Sequence, residues 1–244
     1  MNKTSEDIDQ VGQDTLDVIG AADKFNKWMY ETIAPHCSGR ILEIGSGIGN
    51  ISKYFIAAGD EILLTDLRTT YCDQLKESYG EIENVIGIKE VDLVAEDFEN
   101  RYADLLATFD TVFALNVVEH IEDDTLALIN AAKLLTNNGK LVILVPAYQA
   151  LFNQFDVELE HYRRYTKKSI ASTFNDAVLD IDRQQYFNAI GILGWFVTGK
   201  ILKKKQIPKG QMNLYNTFVP IIKLIDKLIL ETVGLSVITV GHKR

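Results

Sequence analysis

Apolar runs of six or seven residues recur along the first 150 positions, near 40–45, 61–66, 85–91, 109–115 and 140–146. Between several of them apolar side chains return every third or fourth residue instead, near 48–58, 69–79 and 118–136. Short apolar blocks alternating with helical periodicity predict a mostly parallel sheet whose strands are joined by helices. Ahead of the first block, residues 4–36 place Ala22, Phe25, Trp28, Met29 and Ile33 on one helical face, which predicts a covering helix over the sheet or a cleft. Gly139, after Asn137 and Asn138, reads as the stop of the third helix. Beyond residue 150, Leu179–Phe187 and Leu235–Val240 are strand candidates, with a long helical stretch between them.

Composition fits one sizeable core. The chain has 244 residues, 47% of them apolar, and α/β folds routinely exceed the ~150 residues of an average domain. The expected organisation is a single domain over 1–244, with an N-terminal helical cap over 1–38 and a helical insertion over 188–233. Cys37 and Cys72 lack metal or redox spacing, so reduced thiols are expected. The start, Met-Asn-Lys-Thr-Ser-Glu-Asp, has no apolar core of a leader, and no run reaches the ~18 apolar residues of a membrane span. These features predict a cytoplasmic protein.

Charge changes that picture. From residue 161 onward there are 14 Lys or Arg against 5 Asp or Glu, so of the total of −9 the first 160 residues carry −18. Within the basic part, the uncharged run Ala189–Gly199 is followed by Lys200, Lys203, Lys204, Lys205 and Lys209. Leu214, Phe218, Ile221, Ile222, Ile225, Leu228 and Ile229 then fall at helical spacing, with Lys223 and Lys227 off that face. Apolar helices beside lysines lie on an anionic bilayer or line a pocket for an amphiphile. The alternative is packing on the sheet or on a second subunit as a homodimer; both stay open.

The chemistry gathers at strand ends. Residues 41–50 read Ile-Leu-Glu-Ile-Gly-Ser-Gly-Ile-Gly-Asn. Alternate glycines admit positive φ and close approach of a ligand, and the following helix offers unpaired N–H groups. Asp66 ends the next apolar run, 21 residues after Gly45. A carboxylate there accepts ribose hydroxyls from either NAD or S-adenosylmethionine. The dinucleotide pattern G-x-G-x-x-G would need glycine at position 50, which is Asn50, and Glu43 favours a cationic sulfonium over a pyrophosphate. Here the chain resembles the class I S-adenosylmethionine-dependent methyltransferases, whose first motif matches Leu42 to Gly49. Val91-Asp92-Leu93, Phe109 to Ile121 and Leu134 to Pro146 are similar to later elements of that family, in the same order.

The resemblance implies an α/β, Rossmann-like fold: a seven-stranded mostly parallel sheet with helices on both faces, an antiparallel last strand, and a helical insertion before it. It implies S-adenosyl-L-methionine as methyl donor. Glu43, Gly45, Gly47 and Gly49 would meet its methionine part, Asp66 its ribose, Asp92 and Leu93 its adenine, with Asn116 nearby and Tyr30 as a donor or lid contact. For the acceptor side, Asp156-Val-Glu-Leu-Glu-His-Tyr-Arg-Arg-Tyr165 follows the fifth strand and should border the cleft. His161 is the candidate general base and Arg163 or Arg164 the grip on an acidic substrate group. The stretch resembles a His-x-Arg-Arg-Tyr element of an uncharacterised bacterial subgroup; an Arg–carboxylate–Tyr network tying the loop to the sheet explains the same residues. His120 ranks second. No His-x-x-x-His or cysteine cluster predicts a metal.

The acceptor is expected to be a small molecule, a sugar or a lipid-linked molecule. Asn116-Val-Val-Glu stands where methyltransferases acting on bases carry Asn-Pro-Pro-Tyr, and the acidic body disfavours DNA. Two rivals remain: an NAD-dependent oxidoreductase, and a nucleoside-binding scaffold without catalysis.

Overall fold

The structure, a computed structural model, describes residues 5–204 and 208–243, with side chains from residue 13 onward apart from that of Lys209. Lys205 therefore lies outside the described residues, as does the side chain of Lys209. The strands are β1 (Ile41–Ile44), β2 (Ile62–Asp66), β3 (Val85–Glu90), β4 (Phe109–Leu115), β5 (Leu135–Pro146), β6 (Leu179–Phe187) and β7 (Ser236–Lys243). They form one sheet in the order β3-β2-β1-β4-β5-β7-β6, with β7 antiparallel to both neighbours. The order reverses at β1, between β2 and β4, where an open α/β sheet leaves a crevice beyond its strand ends.

Period-two patterning divides the core between the two faces. Leu42, Ile44, Val112, Ala114, Leu141 and Ile143 meet helices α6 (Asp124–Leu134) and α8 (Lys167–Asp176) on one side. Ile41, Leu64, Phe113, Val142 and Leu144 face the other, against α2 (Asp23–Ile33), α3 (Ser52–Ala58) and α10 (Lys209–Leu228). The remaining helices are α1 (Ser5–Gly20), α4 (Thr69–Tyr79), α5 (Phe98–Arg101), α7 (Gln154–Glu158) and α9 (Gly191–Trp195), the last continuing through a wider π turn to Ile201.

Three sequence expectations need correction. The stretch 4–36 is not one helix: it breaks between α1 and α2, where Ala22 takes a non-helical conformation, and ends in a tight turn at Ala34–His36 around Pro35. The third helix ends at Leu134, not near 136. Leu135 already pairs with Phe109, so Gly139 lies within β5, beside a register shift, rather than capping a helix. Asn138 there carries the left-handed conformation, φ 64°. On α10 the apolar positions split, with Met212, Val219 and Ile222 inward and Leu214, Phe218, Ile221, Leu224 and Leu228 exposed.

The inward face of α2 covers one face of the sheet. Trp28 packs on Phe187 of β6 with ring centroids 4.2 Å apart, and Phe25 lies edge-on to Tyr215 of α10 at 5.7 Å. Asp226, buried on α10, accepts the backbone N–H of Ala189 at 2.9 Å and that of Asn188, so the start of the inserted segment is pinned by its own end.

Candidate functional site

A cavity of about 1180 Å³ opens above the carboxyl ends of β1, β2, β4 and β5. Its floor is the turn after β1. Gly45 and Gly47 hold φ of 72° and 54°, and a Cβ on Gly45 would stand 2.4 Å from Val117. Only glycine fits such a position without strain. Asp66 accepts the Gly47 N–H at 2.9 Å and the Arg68 N–H at 3.0 Å. Since a carboxylate has about four lone-pair sites, these donors leave capacity for a ligand. Burial raises the Asp66 carboxyl above its usual range, against the pull of those N–H donors.

Glu43 is buried at the end of β1, where it accepts the Ser52 hydroxyl. Burial pushes it up to about 7, and the hydrogen bonds from Ser52 and Ser46 oppose that shift. A cation placed beside it would recover the lost solvation. Asp92 receives the Val94 N–H on Oδ1 at 2.9 Å, its backbone held by the Tyr102 hydroxyl at 2.8 Å. Leu93 and Asn116, the latter at φ 55°, also border the cavity. Tyr30 does not. It stacks on Tyr54 at 5.4 Å and meets Phe55 edge-on at 4.9 Å, in the layer over the opposite part of the sheet. Gly49 lies outside the lining too; its open side faces Tyr79, 2.5 Å from where a Cβ would stand. Its φ of 83° shapes the turn rather than touching what fills the cavity.

The second end of the cavity is built by the segment after β5. Tyr148 N–H bonds the Tyr165 carbonyl at 2.7 Å and Tyr162 N–H bonds the Glu119 carbonyl at 2.8 Å, which lay the loop along the strand ends. Asn153 and Asp156 form a capping box at the start of α7. Asp156, fully buried, also accepts the Arg164 Nε–H at 2.7 Å and pairs with His161 Nδ1 at 2.8 Å. Its carboxyl is held low by His161 and Arg164 despite burial, the largest single influence.

The arginines part company. Arg164 lines the cavity, but its donors go to Asp156 and the Ala147 carbonyl, and its plane lies 4.5 Å from the Trp195 ring centre. Arg163 turns away to Asp124 at 3.0 Å and the Glu122 carbonyl at 2.6 Å. Both arginines are held in the loop-tying network, and Tyr165 joins it through Asp124 at 2.7 Å.

His161 and His120 meet edge-to-face at 4.6 Å, and Glu119 lies fully buried beside them. The donor atoms of the three lie within 4.8 Å of one another. Neither oxygen of Glu119 has a hydrogen-bond partner, and burial pushes its carboxyl up to about 7, against the opposing pull of His161. His120 borders the cavity but is so surrounded that its imidazolium is pushed down to about 3, by burial first and His161 second. Spacing in sequence did not mark Glu119, because its neighbours come from a separate loop; its adjacency to His120 after β4 was the only signal.

Residues 42–141 match a family described as a methyltransferase domain. That segment runs from β1 to β5 and includes the glycine turn, Asp66, Asp92 and Glu119. Over 112 residues the chain is 29% identical to a highly reducing polyketide synthase of Strobilurus tenacellus, which covers 43% of this chain and 4% of that protein. The matched part is thus a small fraction of that relative's length. Among solved structures, the phosphoethanolamine N-methyltransferase 2 of Haemonchus contortus in complex with S-adenosyl-L-methionine is similar at TM-score 0.58 and 17% identity, covering 88% of this chain and 52% of that one. A sarcosine dimethylglycine methyltransferase assignment from Galdieria sulphuraria matches at TM-score 0.59 and 12% identity, over 90% of this chain and 85% of that one. These two share the fold of this chain.

Proposed function

We propose that the protein transfers a methyl group from S-adenosylmethionine to an oxygen or nitrogen of a small amphiphilic or lipid-linked acceptor. The observation that carries this reading is the floor of the cavity: a glycine turn, a ribose-height carboxylate at Asp66, a second at Asp92, and the buried Glu43, which has no cationic partner among the described residues. The bound donor supplies an electrophilic methyl on a sulfonium. Backbone at Gly45 and Gly47 makes room for the methionine part, Glu43 balances its positive charge, Asp66 receives the ribose hydroxyls and Asp92 the adenine amino group. Displacement at methyl asks chiefly for alignment, which a walled cavity supplies. NAD remains the rival nucleotide, and its pyrophosphate would sit against Glu43. Calorimetry decides: S-adenosylhomocysteine should bind saturably and NAD should not, whereas the reverse would make the protein an oxidoreductase.

The acceptor class follows from the far wall. Gly191, Gly194, Trp195, Thr198, Met212 and Tyr215 line the cavity from α9, the π turn and α10. The outer side of those same helices exposes Leu193, Phe196, Val197, Ile201, Leu202, Leu214, Phe218, Ile221, Leu224 and Leu228. Lys200, Lys203, Lys204, Lys223 and Lys227 are exposed among them. Apolar groups at the surface beside lysines complement an anionic bilayer. A peripheral helix pair there would deliver an amphiphile to the cavity from the membrane. Among the described residues no helix is long and apolar enough to cross one. Sedimentation with phosphatidylglycerol vesicles at low salt should carry the protein down, and zwitterionic vesicles should leave it in solution. No binding to anionic vesicles, with a dimer in light scattering, would assign the face to a second copy instead.

A further inference from the structure

We propose that Glu119, His120 and His161 bind a divalent transition-metal ion at the acceptor end of the cavity. The cation's role in methyl transfer rests on the function proposed above, but the site itself stands on its own geometry.

Each ligand is prepared for coordination by what lies behind it. His161 has Nδ1 on the carboxylate of Asp156 at 2.8 Å, which leaves Nε2 as a lone pair. The His120 ring is hydrogen-bonded to the Leu159 carbonyl, so its other nitrogen is an acceptor without a proton. Imidazoles held from behind by a carboxylate or a carbonyl are the arrangement metal-binding histidines adopt. The third ligand, Glu119, is 0% exposed and both its oxygens lack a hydrogen-bond partner. A buried carboxylate with no partner is costly, and a cation offsets that cost. All three border the cavity. Arg164 lies nearby, but its charge is already committed to Asp156.

Two nitrogens and one oxygen suit Zn²⁺, Mn²⁺, Fe²⁺ or Co²⁺ and disfavour Ca²⁺ and Mg²⁺, which prefer oxygen-only sets. Three protein ligands leave coordination positions open on the cavity side. An acceptor hydroxyl bound there becomes more acidic, and its proton passes to water in the cavity. Its oxygen lone pair then forms the C–O bond as the C–S bond breaks, with that electron pair returning to sulfur.

The test uses the full chain, stripped with a chelator and titrated with Co²⁺. One Co²⁺ should bind per chain with a visible absorption band, displaced by Zn²⁺ but not by Mg²⁺. His120→Ala, His161→Ala and Glu119→Gln should each weaken Co²⁺ binding by at least ~100-fold, beyond the ~10–100-fold expected for loss of an outer-shell partner. Cooperative thermal unfolding of each variant confirms its fold. The proposal is overturned if neither Co²⁺, Mn²⁺ nor Zn²⁺ binds the wild type saturably up to millimolar concentration. It is equally overturned if the double variant H120A/H161A still folds and binds as tightly. A parallel titration of the wild type with S-adenosylhomocysteine separates the two readings. Cobalt bound without the nucleoside leaves the cation site standing and removes methyl transfer; the nucleoside bound without cobalt does the reverse.

Discussion

The two walls of the cavity are made in opposite ways. The wall proposed for the donor is backbone, with positive-φ glycines and carboxylates fixed at strand ends by N–H donors from the next turn. The wall proposed for the acceptor is side chains on helices that pack inward with one stripe and expose another. A wall of backbone fixes one ligand, because moving it means breaking sheet register. A wall of helical side chains can be re-cut residue by residue, so acceptor choice can vary over a constant donor floor.

The largest expected effect lies where the walls join. Asp156→Asn leaves the buried Arg164 guanidinium without its counter-charge, a change that costs about 3–5 kcal/mol for a buried pair. At about 2–4 °C per kcal/mol for a chain of this size, thermal unfolding should show the melting temperature fall by roughly 6–20 °C. Because the Asp156 carboxyl is held below its ordinary value, the stability it contributes is present above the unfolded pKa and lost as pH falls through the folded one. The gap between wild type and variant should therefore narrow in acid.

On the donor wall, Gly45→Val puts branched carbon against Val117 at a φ that only glycine takes comfortably. Calorimetry should show affinity for S-adenosylhomocysteine down by ~100-fold or more, equivalent to about 2.7 kcal/mol. Asp66→Ala removes the acceptor of two backbone N–H groups and of the ribose hydroxyls; loss of charge-assisted bonds worth ~1.5–3 kcal/mol predicts ~10–100-fold weaker binding. If either variant bound normally, the floor would not be the donor site.

A smaller effect concerns pH. The Glu43 carboxyl, pushed up to about 7, holds a proton at pH 6 that a cationic donor must displace. Affinity for S-adenosylmethionine should tighten between pH 6 and 8, by up to ~10-fold, and Glu43→Gln should flatten the dependence. Without ligand the sign is reversed: the raised carboxyl stabilises the fold below its unfolded pKa, and that contribution is lost as pH rises through about 7. Smallest are the outer positions of the acceptor wall. Leu214→Glu with Phe218→Glu changes exposed residues, so unfolding should move within about 0.5 kcal/mol. Sedimentation with anionic vesicles should nevertheless fall several-fold.

The same contrast explains what could be read from sequence. The sheet, its order of elements and the glycine turn with its flanking acids were legible because strand ends, glycine spacing and acids lie within short stretches: Glu43 to Gly49, Asp66, Asp92. Tyr30 was misplaced because an aromatic on an amphipathic helix fits core and cleft equally well until its neighbours, here Tyr54 and Phe55, are known. Arg163 and Arg164 were indistinguishable as neighbours in sequence, yet opposite in direction once the loop was laid along β5. The Glu119–His120–His161 group joins two segments about 40 positions apart, and no periodicity connects them. The α10 stripe was visible as apolar, but which half of it faces inward depends on Phe187 and Trp28, residues from other elements.

The most direct measurement is a crystal structure of the protein grown with S-adenosylhomocysteine. The account predicts density above Gly45 and Gly47, with ribose oxygens on Asp66, the adenine amino group on Asp92 and the homocysteine ammonium toward Glu43. Density elsewhere, or an empty turn at saturating nucleoside, would contradict it.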